Sequence, residues 1–143
     1  MTTPFDLSGQ TAIVTGANTG IGQAIALSLA AAGADIAAVG RTPAQETVEK
    51  VRALGRQAQI VSADLSSIEP VQRVVDETLE KLGRLDILVN NAGIIRRADS
   101  VDFTEEDWDA VIDTNLKTTF FLCQAAGRHM LAQGAGKIIN IAS

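Results

Sequence analysis

One octapeptide constrains this chain more than any other stretch: Thr15-Gly16-Ala17-Asn18-Thr19-Gly20-Ile21-Gly22, set between the apolar run Ala12-Ile13-Val14 and a helical pattern that begins at Gln23. A chain that leaves a buried strand and enters a helix within so few residues must bend sharply, and residues without Cβ permit the bend. The same bend gathers backbone N–H groups and the positive helix end at one point, which favours an anion such as a pyrophosphate. Gly16 suits the tight turn, Gly20 the close approach of a ligand, and Gly22 the packing of helix on strand. The spacing Gly-x-x-x-Gly-x-Gly is not the Gly-x-Gly-x-x-Gly dinucleotide fingerprint, and no Gly-Lys-Ser/Thr follows to make a P-loop. Taken alone, the three glycines fit a strand-to-helix turn that binds nothing equally well.

The unit that surrounds this turn recurs along the chain. Residues 10–15 read as a buried strand and 23–32 as an Ala- and Leu-rich helix closed by Gly33. Residues 35–39 have the length of a parallel strand, and Thr42 and Pro43 are expected as N-cap and first residue of a helix reaching about Leu54. Residues 57–63 form a third strand, followed by a helix that Ser66 or Ser67 is expected to cap, with Val71, Val74, Val75, Leu79 and Leu82 at helical spacing. Residues 85–90 form a fourth strand. Thr104, three residues before Asp107, starts a helical region expected to bend near Asn115 and to run to Leu131. Gly134 and Gly136 end it, and residues 137–142 form a fifth strand. Strands alternating with helices predict an α/β fold: a doubly wound, Rossmann-like parallel sheet with helices on both faces and right-handed crossovers.

Composition narrows the function classes. At 143 residues, 46% hydrophobic and 20% charged, the chain is one domain able to bury a core. Its N-terminus shows no basic region followed by an apolar run, so a cytoplasmic protein with no membrane partner is expected. A net charge of −5 without a basic stripe argues against a nucleic-acid partner. The one cysteine, Cys123, leaves no internal disulfide and no Cys-rich metal site, and no metal is expected. Cys123 reads as a small buried hydrophobe, His129 as a surface residue near a helix end, and Trp108 as the apolar side of an acidic first turn. From residue 118 to 131 the helix is apolar on more than one side, which gives it both a sheet and a partner surface to cover.

Residues 15–22, Asp64-Leu65, Asn90-Asn91-Ala92-Gly93, Asn115 and Asn140-Ile141-Ala142-Ser143 together resemble, in order and spacing, the short-chain dehydrogenase/reductase family. The resemblance covers essentially the whole chain and implies the N-terminal five strands of that family's seven, hence an NAD(P)-binding domain over residues 1–143 that is incomplete at its C-terminus. It implies hydride transfer between a nicotinamide and a secondary alcohol or ketone, with a small sugar-acid type of substrate. Gly16, Asn18, Gly20, Ile21 and Gly22 would meet the cofactor pyrophosphate and adjoining ribose. Asp64 and Leu65 would meet the adenine, while Asn90, Ala92 and Gly93 would hold the central sheet and the nicotinamide-side ribose. Asn91 is left as structural. Asn115 would be a catalytic residue whose main chain holds a water in a proton relay, and Ser143 the catalytic serine that donates to the substrate oxygen.

The same resemblance marks what is unusual. The family's base is a tyrosine assisted by a lysine, and the chain contains no tyrosine, so an alternative reading is a truncated dinucleotide-binding module without turnover. NAD-preferring members carry an acid at the end of the second strand, where this chain has Gly40 and then Arg41. The planar fork of an arginine can grip a 2′-phosphate, so of NAD and NADP the second is favoured, although Arg41 could also stack on adenine or point to solvent. Arg96 and Arg97 follow the loop expected beside the nicotinamide and are candidates for a substrate carboxylate, against the reading of a solvated basic pair. The complete protein is expected to be a homo-oligomer, a dimer or a tetramer.

Overall fold

The computed structural model describes residues 3–142. The elements run β1 (Thr11–Thr15), α1 (Gly20–Ala31), β2 (Asp35–Gly40), α2 (Gln45–Ala53), β3 (Ala58–Ser62), α3 (Val71–Leu82), β4 (Ile87–Asn90), α4 (Glu105–Ile112), a π-turn (Asp113–Lys117), α5 (Thr118–Gln133) and β5 (Lys137–Asn140). Among the described residues the strands make one parallel sheet in the order β3-β2-β1-β4-β5, the doubly wound arrangement that the alternation predicts.

Period-two alternation divides the strands between two cores. Ile13, Ala37, Val39 and Leu88 face one layer with Val71, Val74 and Val75 of α3 and Leu122, Ala126 and Met130 of α5. Ala12, Val14, Ile36, Ala38 and Val89 face the other layer with Ala26 and Ala30 of α1 and Val48 and Val51 of α2. Every residue of β1 is buried, as expected for a central parallel strand covered on both faces, whereas every residue of β5 is exposed. Helix α5 buries Leu122, Ala125, Ala126 and Met130 and leaves Phe120 and Leu131 largely exposed.

Two helix starts differ from the sequence expectation. Helix α2 begins at Gln45 with Ala44 at its N-cap, and Thr42, in the bend that follows β2, lines a cleft instead of capping. Helix α3 begins only at Val71, after Pro70. Ser66 is taken into a turn closed by Asp64, whose Oδ1 accepts from the Ser66 N–H at 3.0 Å, and Ser67 Oγ accepts from the Glu69 N–H at 3.3 Å. Pro70 also disfavours helical backbone at Glu69, so the helix cannot start earlier. By contrast, Thr104 caps α4 as expected, its Oγ1 accepting from the Asp107 N–H at 3.1 Å, and the bend at Asn115 is the π-turn.

Candidate active site

In an open parallel sheet the chain winds one way from the first strand and then returns to its other side, and the point of reversal leaves a crevice at the carboxyl ends of the strands. Here that point lies between β1 and β4. Strand β1 runs there straight into Gly16, at φ +62°, and α1 starts at Gly20, at φ +56°, both in the left-handed region that glycine adopts without strain. A Cβ at Gly22 would overlap the carbonyl oxygen of Gly16, so only glycine lets α1 lie against the turn.

Side chains pin this turn from two directions. Thr15 Oγ1 accepts from the N–H groups of Asn91 and Ala92 at 3.0 and 2.9 Å, and Asn91 Nδ2 donates to the carbonyls of Thr15 and Gly16 at 3.2 and 3.3 Å. On the other side Thr47 Oγ1 donates to the carbonyl of Ala17 at 2.6 Å, and Gln23 Nε2 donates to Thr47 Oγ1 at 2.9 Å. The N-cap residue Thr19 makes no side-chain cap bond, and the first turn of α1 carries no acid. The opening N–H groups of α1 are therefore left uncapped by side chains at the mouth of the crevice, in the arrangement that receives an anion.

Two clefts meet at this mouth. The narrower, of about 320 Å³, is lined by Gly16, Asn18, Arg41, Asp64, Leu65 and Gly93 among others. The N–H of Ser66 holds the Asp64 carboxyl below its usual range, with help from the Ser66 side chain and the charge of Arg41, so Asp64 is an anion beside a guanidinium. Ile21 is exposed at the rim, and Leu65 is buried.

The broader cleft, of about 800 Å³, opens on the far side of residues 91–96, with Ala92, Gly93, Ile94 and Arg96 shared by both. Asn90 and Asn140, register partners on β4 and β5, are joined by Asn90 Nδ2 donating to Asn140 Oδ1 at 3.0 Å, and the same amide donates to Cys123 Sγ at 3.3 Å. Cys123 is thus half-buried and hydrogen-bonded. Asn115 sits on the π-turn with both ends of its amide engaged: Nδ2 donates to the Ile94 carbonyl at 2.8 Å, and Oδ1 accepts from the Ile94 N–H at 2.9 Å. A π-turn interrupting a helix often marks a functional site.

Of the paired arginines, Arg96 lines both clefts and Arg97 lines neither, being exposed beyond them. Ser143 lies outside the described residues. Gly16, Asn18, Arg41, Asp64, Leu65, Asn90, Ala92, Gly93, Arg96 and Asn115 all line one cleft or the other. Sequence reading missed Thr15, Thr47 and Gln23 as supports of the turn, since nothing local distinguishes a threonine or glutamine whose partner is remote. It also placed Trp108 as the apolar side of a helical turn, whereas its half-exposed ring forms part of the broad cleft wall. Among the described residues no group of three His, Cys, Asp or Glu side chains could hold a metal, and no helix is long and apolar enough to cross a membrane.

Comparison with known proteins places this geometry. Residues 10–143 match the family described as short chain dehydrogenase. The chain belongs to the short-chain dehydrogenase/reductase family. Within that family it is 50% identical over 140 residues to the 2-dehydro-3-deoxy-D-gluconate 5-dehydrogenase of Escherichia coli K12, covering 97% of this chain and 55% of the relative. It is 43% identical over 140 residues to a 3-oxoacyl-[acyl-carrier-protein] reductase of Synechocystis, covering 96% of this chain and 57% of the relative. A crystal structure from Agrobacterium tumefaciens, provisionally assigned as a 2-deoxy-D-gluconate 3-dehydrogenase and holding NADP, superposes with a TM-score of 0.86 at 47% identity, covering 99% of this chain and 56% of that one. The chain thus spans a little over half the length of these short-chain dehydrogenases.

Proposed function

We propose that this chain is the N-terminal portion of an NAD(P)-dependent oxidoreductase that interconverts a secondary alcohol and a ketone on a deoxy sugar acid. The observation that carries the reading is the pinned glycine turn at the reversal point of the sheet, whose helix end lacks side-chain caps. The residues present suit a dinucleotide. Gly16, Asn18, Gly20, Ile21 and Gly22 would hold its pyrophosphate and the adjoining ribose, Asp64 and Leu65 its adenine, and Asn90, Ala92 and Gly93 the ribose on the nicotinamide side. Arg41, beside Asp64 on the narrow cleft, would take a 2′-phosphate, and this favours NADP over NAD.

A bound nicotinamide would supply the site with a carbon that accepts or gives a hydride. The protein must then orient the alcohol and move its proton, which requires a group within about 2.6–3.2 Å of the substrate oxygen. Ser143 would donate to that oxygen, and Asn115, whose side chain is committed to Ile94, would act through its main chain in a water-mediated relay. The base itself would come from residues outside this chain, which has no tyrosine and spans 55% of its Escherichia coli relative. Arg96, on the rim shared by the clefts, would bind the substrate carboxylate, with Arg97 in support. The complete protein would work in the cytoplasm as a homo-oligomer, dimer or tetramer, using the exposed apolar side of α5 that carries Phe120 and Leu131.

A second reading is a module that binds the dinucleotide without turning it over. Assay of the full-length protein with a deoxy sugar acid and NADP or NAD, and with a 3-oxoacyl thioester and NADPH or NADH, separates the possibilities. Reduction or oxidation of the nicotinamide by the sugar acid is expected. Turnover of the thioester alone would overturn the substrate, cofactor binding without turnover would favour the module, and failure to bind either cofactor would overturn the reading entirely.

A further inference from the structure

Arg96 is held in a particular way. Its Nη1 donates to the carbonyl of Ile95 at 3.1 Å, and its Nε lies 3.4 Å from Oδ1 of Asp107. Among the described residues Nη2 and the second hydrogen of Nη1 have no partner, so the end of the planar fork is left for a ligand. The supports on either side are firm. Ile94, two residues before, is clamped by both ends of the Asn115 amide. Asp107 stands in the first turn of α4, where the Thr104 hydroxyl anchors its N–H and the helix end favours its carboxylate. The ring of the next residue, Trp108, forms part of the broad cleft wall.

We infer that Asp107 is a specificity-determining residue: it positions the Arg96 guanidinium with its Nη edge free, and so selects a carboxylate-bearing substrate over a neutral one of the same length. This rests on the reading that Arg96 receives the substrate carboxylate. The physical reason is preorganisation. An arginine loses rotamer freedom when its fork is held, and an acidic partner beside Nε removes part of that cost before a carboxylate arrives. Asp107 also repels an arriving anion, and the two effects have opposite signs, so the direction of the change on its removal identifies which dominates. The side chains are 46% and 39% exposed, which limits the pair to the modest strength of a surface ion pair.

The test uses the full-length enzyme and the variants Arg96→Ala, Asp107→Asn and the double variant. Turnover of a deoxy sugar acid is followed by nicotinamide absorbance, and binding of the acid and of a neutral polyol of equal length by titration calorimetry. Arg96→Ala is expected to raise KM and the dissociation constant for the acid by at least about tenfold, as for loss of a charge-assisted hydrogen bond. Asp107→Asn, which keeps the helix cap because that bond is made by its backbone, is expected to raise both about two- to fivefold. Its kcat and its affinity for the polyol should not change, and it should have no further effect in the Arg96→Ala background. If Asp107→Asn leaves or improves affinity for the acid, weakens acid and polyol alike, or adds fully to Arg96→Ala, the positioning role of Asp107 is overturned while carboxylate binding by Arg96 stands. If Arg96→Ala itself leaves acid affinity unchanged, carboxylate recognition at this rim falls, and the role of Asp107 with it.

Discussion

The two clefts share residues 92, 93, 94 and 96 yet are built in opposite ways. The narrow one is a backbone structure: a glycine turn at the end of a fully buried strand, tied to β4 by Thr15 and Asn91 and to α2 by Thr47. The broad one is a side-chain structure, walled by Ile95, Phe103, Trp108 and Leu116 and bounded by the exposed strand β5. A ligand of constant chemistry, such as a pyrophosphate, can be met by fixed N–H groups. A site whose ligand differs between relatives, a sugar acid in one and an acyl thioester in another by their names, needs walls that can be exchanged without disturbing the backbone.

The largest test of that contrast adds one methyl group to the glycine turn and one to the loop between the clefts, where Gly93 lies. In Gly22→Ala the new Cβ meets a backbone carbonyl that cannot yield, and a loss of about 3 kcal/mol is expected, at the upper end for overpacking. In Gly93→Ala the nearest neighbour is Asn115 Oδ1 at 3.4 Å, an ordinary contact, so stability should change by less than about 0.5 kcal/mol. Thermal melts of the two full-length variants measure this, and equal losses would erase the distinction. Next in size are the ties. Thr15→Val should strand the N–H groups of Asn91 and Ala92 and cost about 2 kcal/mol by denaturant titration, with cofactor affinity falling as well.

A smaller effect is expected from Arg41→Ala, which should narrow the preference for NADP over NAD by about tenfold, the size of one exposed charge-assisted contact, while leaving stability unchanged. An unaltered ratio of dissociation constants would remove Arg41 from cofactor choice. The smallest concerns pH. Because the folded protein holds Asp64 below the ordinary aspartate value of 3.8, the turn that Asp64 makes with Ser66 contributes stability above that value. That contribution is lost only as pH falls through the lower, folded value. Melts between pH 7 and about 5 should therefore show no difference between the parent and Asp64→Asn in their pH slopes, and a difference should emerge only in more acid solution.

The strands and the glycine turn were legible because their signals are local: β-sized apolar runs separated by helical periods, and glycines where backbone must bend. A bend near Asn115 was expected because an asparagine inside a helix disturbs it locally, but not that it would take the form of a π-turn. The helix starts at residues 45 and 71 were not, since a proline or serine near a boundary names a turn without fixing which residue leaves it. Within the site, many of the residues singled out in the sequence line one cleft or the other, but the supports of the turn were not foreseen: the partners of Thr15 lie 76 and 77 positions away, and that of Asn115 lies 21 away. Arg96 and Arg97 were indistinguishable as a pair, and only Asp107 and the path of the loop separate them.

The π-turn at Asp113–Lys117 has a genetic consequence. An α-helix advances about 100° per residue, and the wider π-turn winds one residue more into a turn, so it absorbs an extra residue while keeping the faces of α4 and α5 in phase. Loss of one codon here would be taken up by tightening the turn to α, which leaves Leu122, Ala125, Ala126 and Met130 against the sheet but removes the bulge that presents Asn115 to Ile94. The segment should therefore behave as a slack link: a single-residue deletion between Asp113 and Lys117 is expected to spare the fold and to unseat the Asn115 clamp.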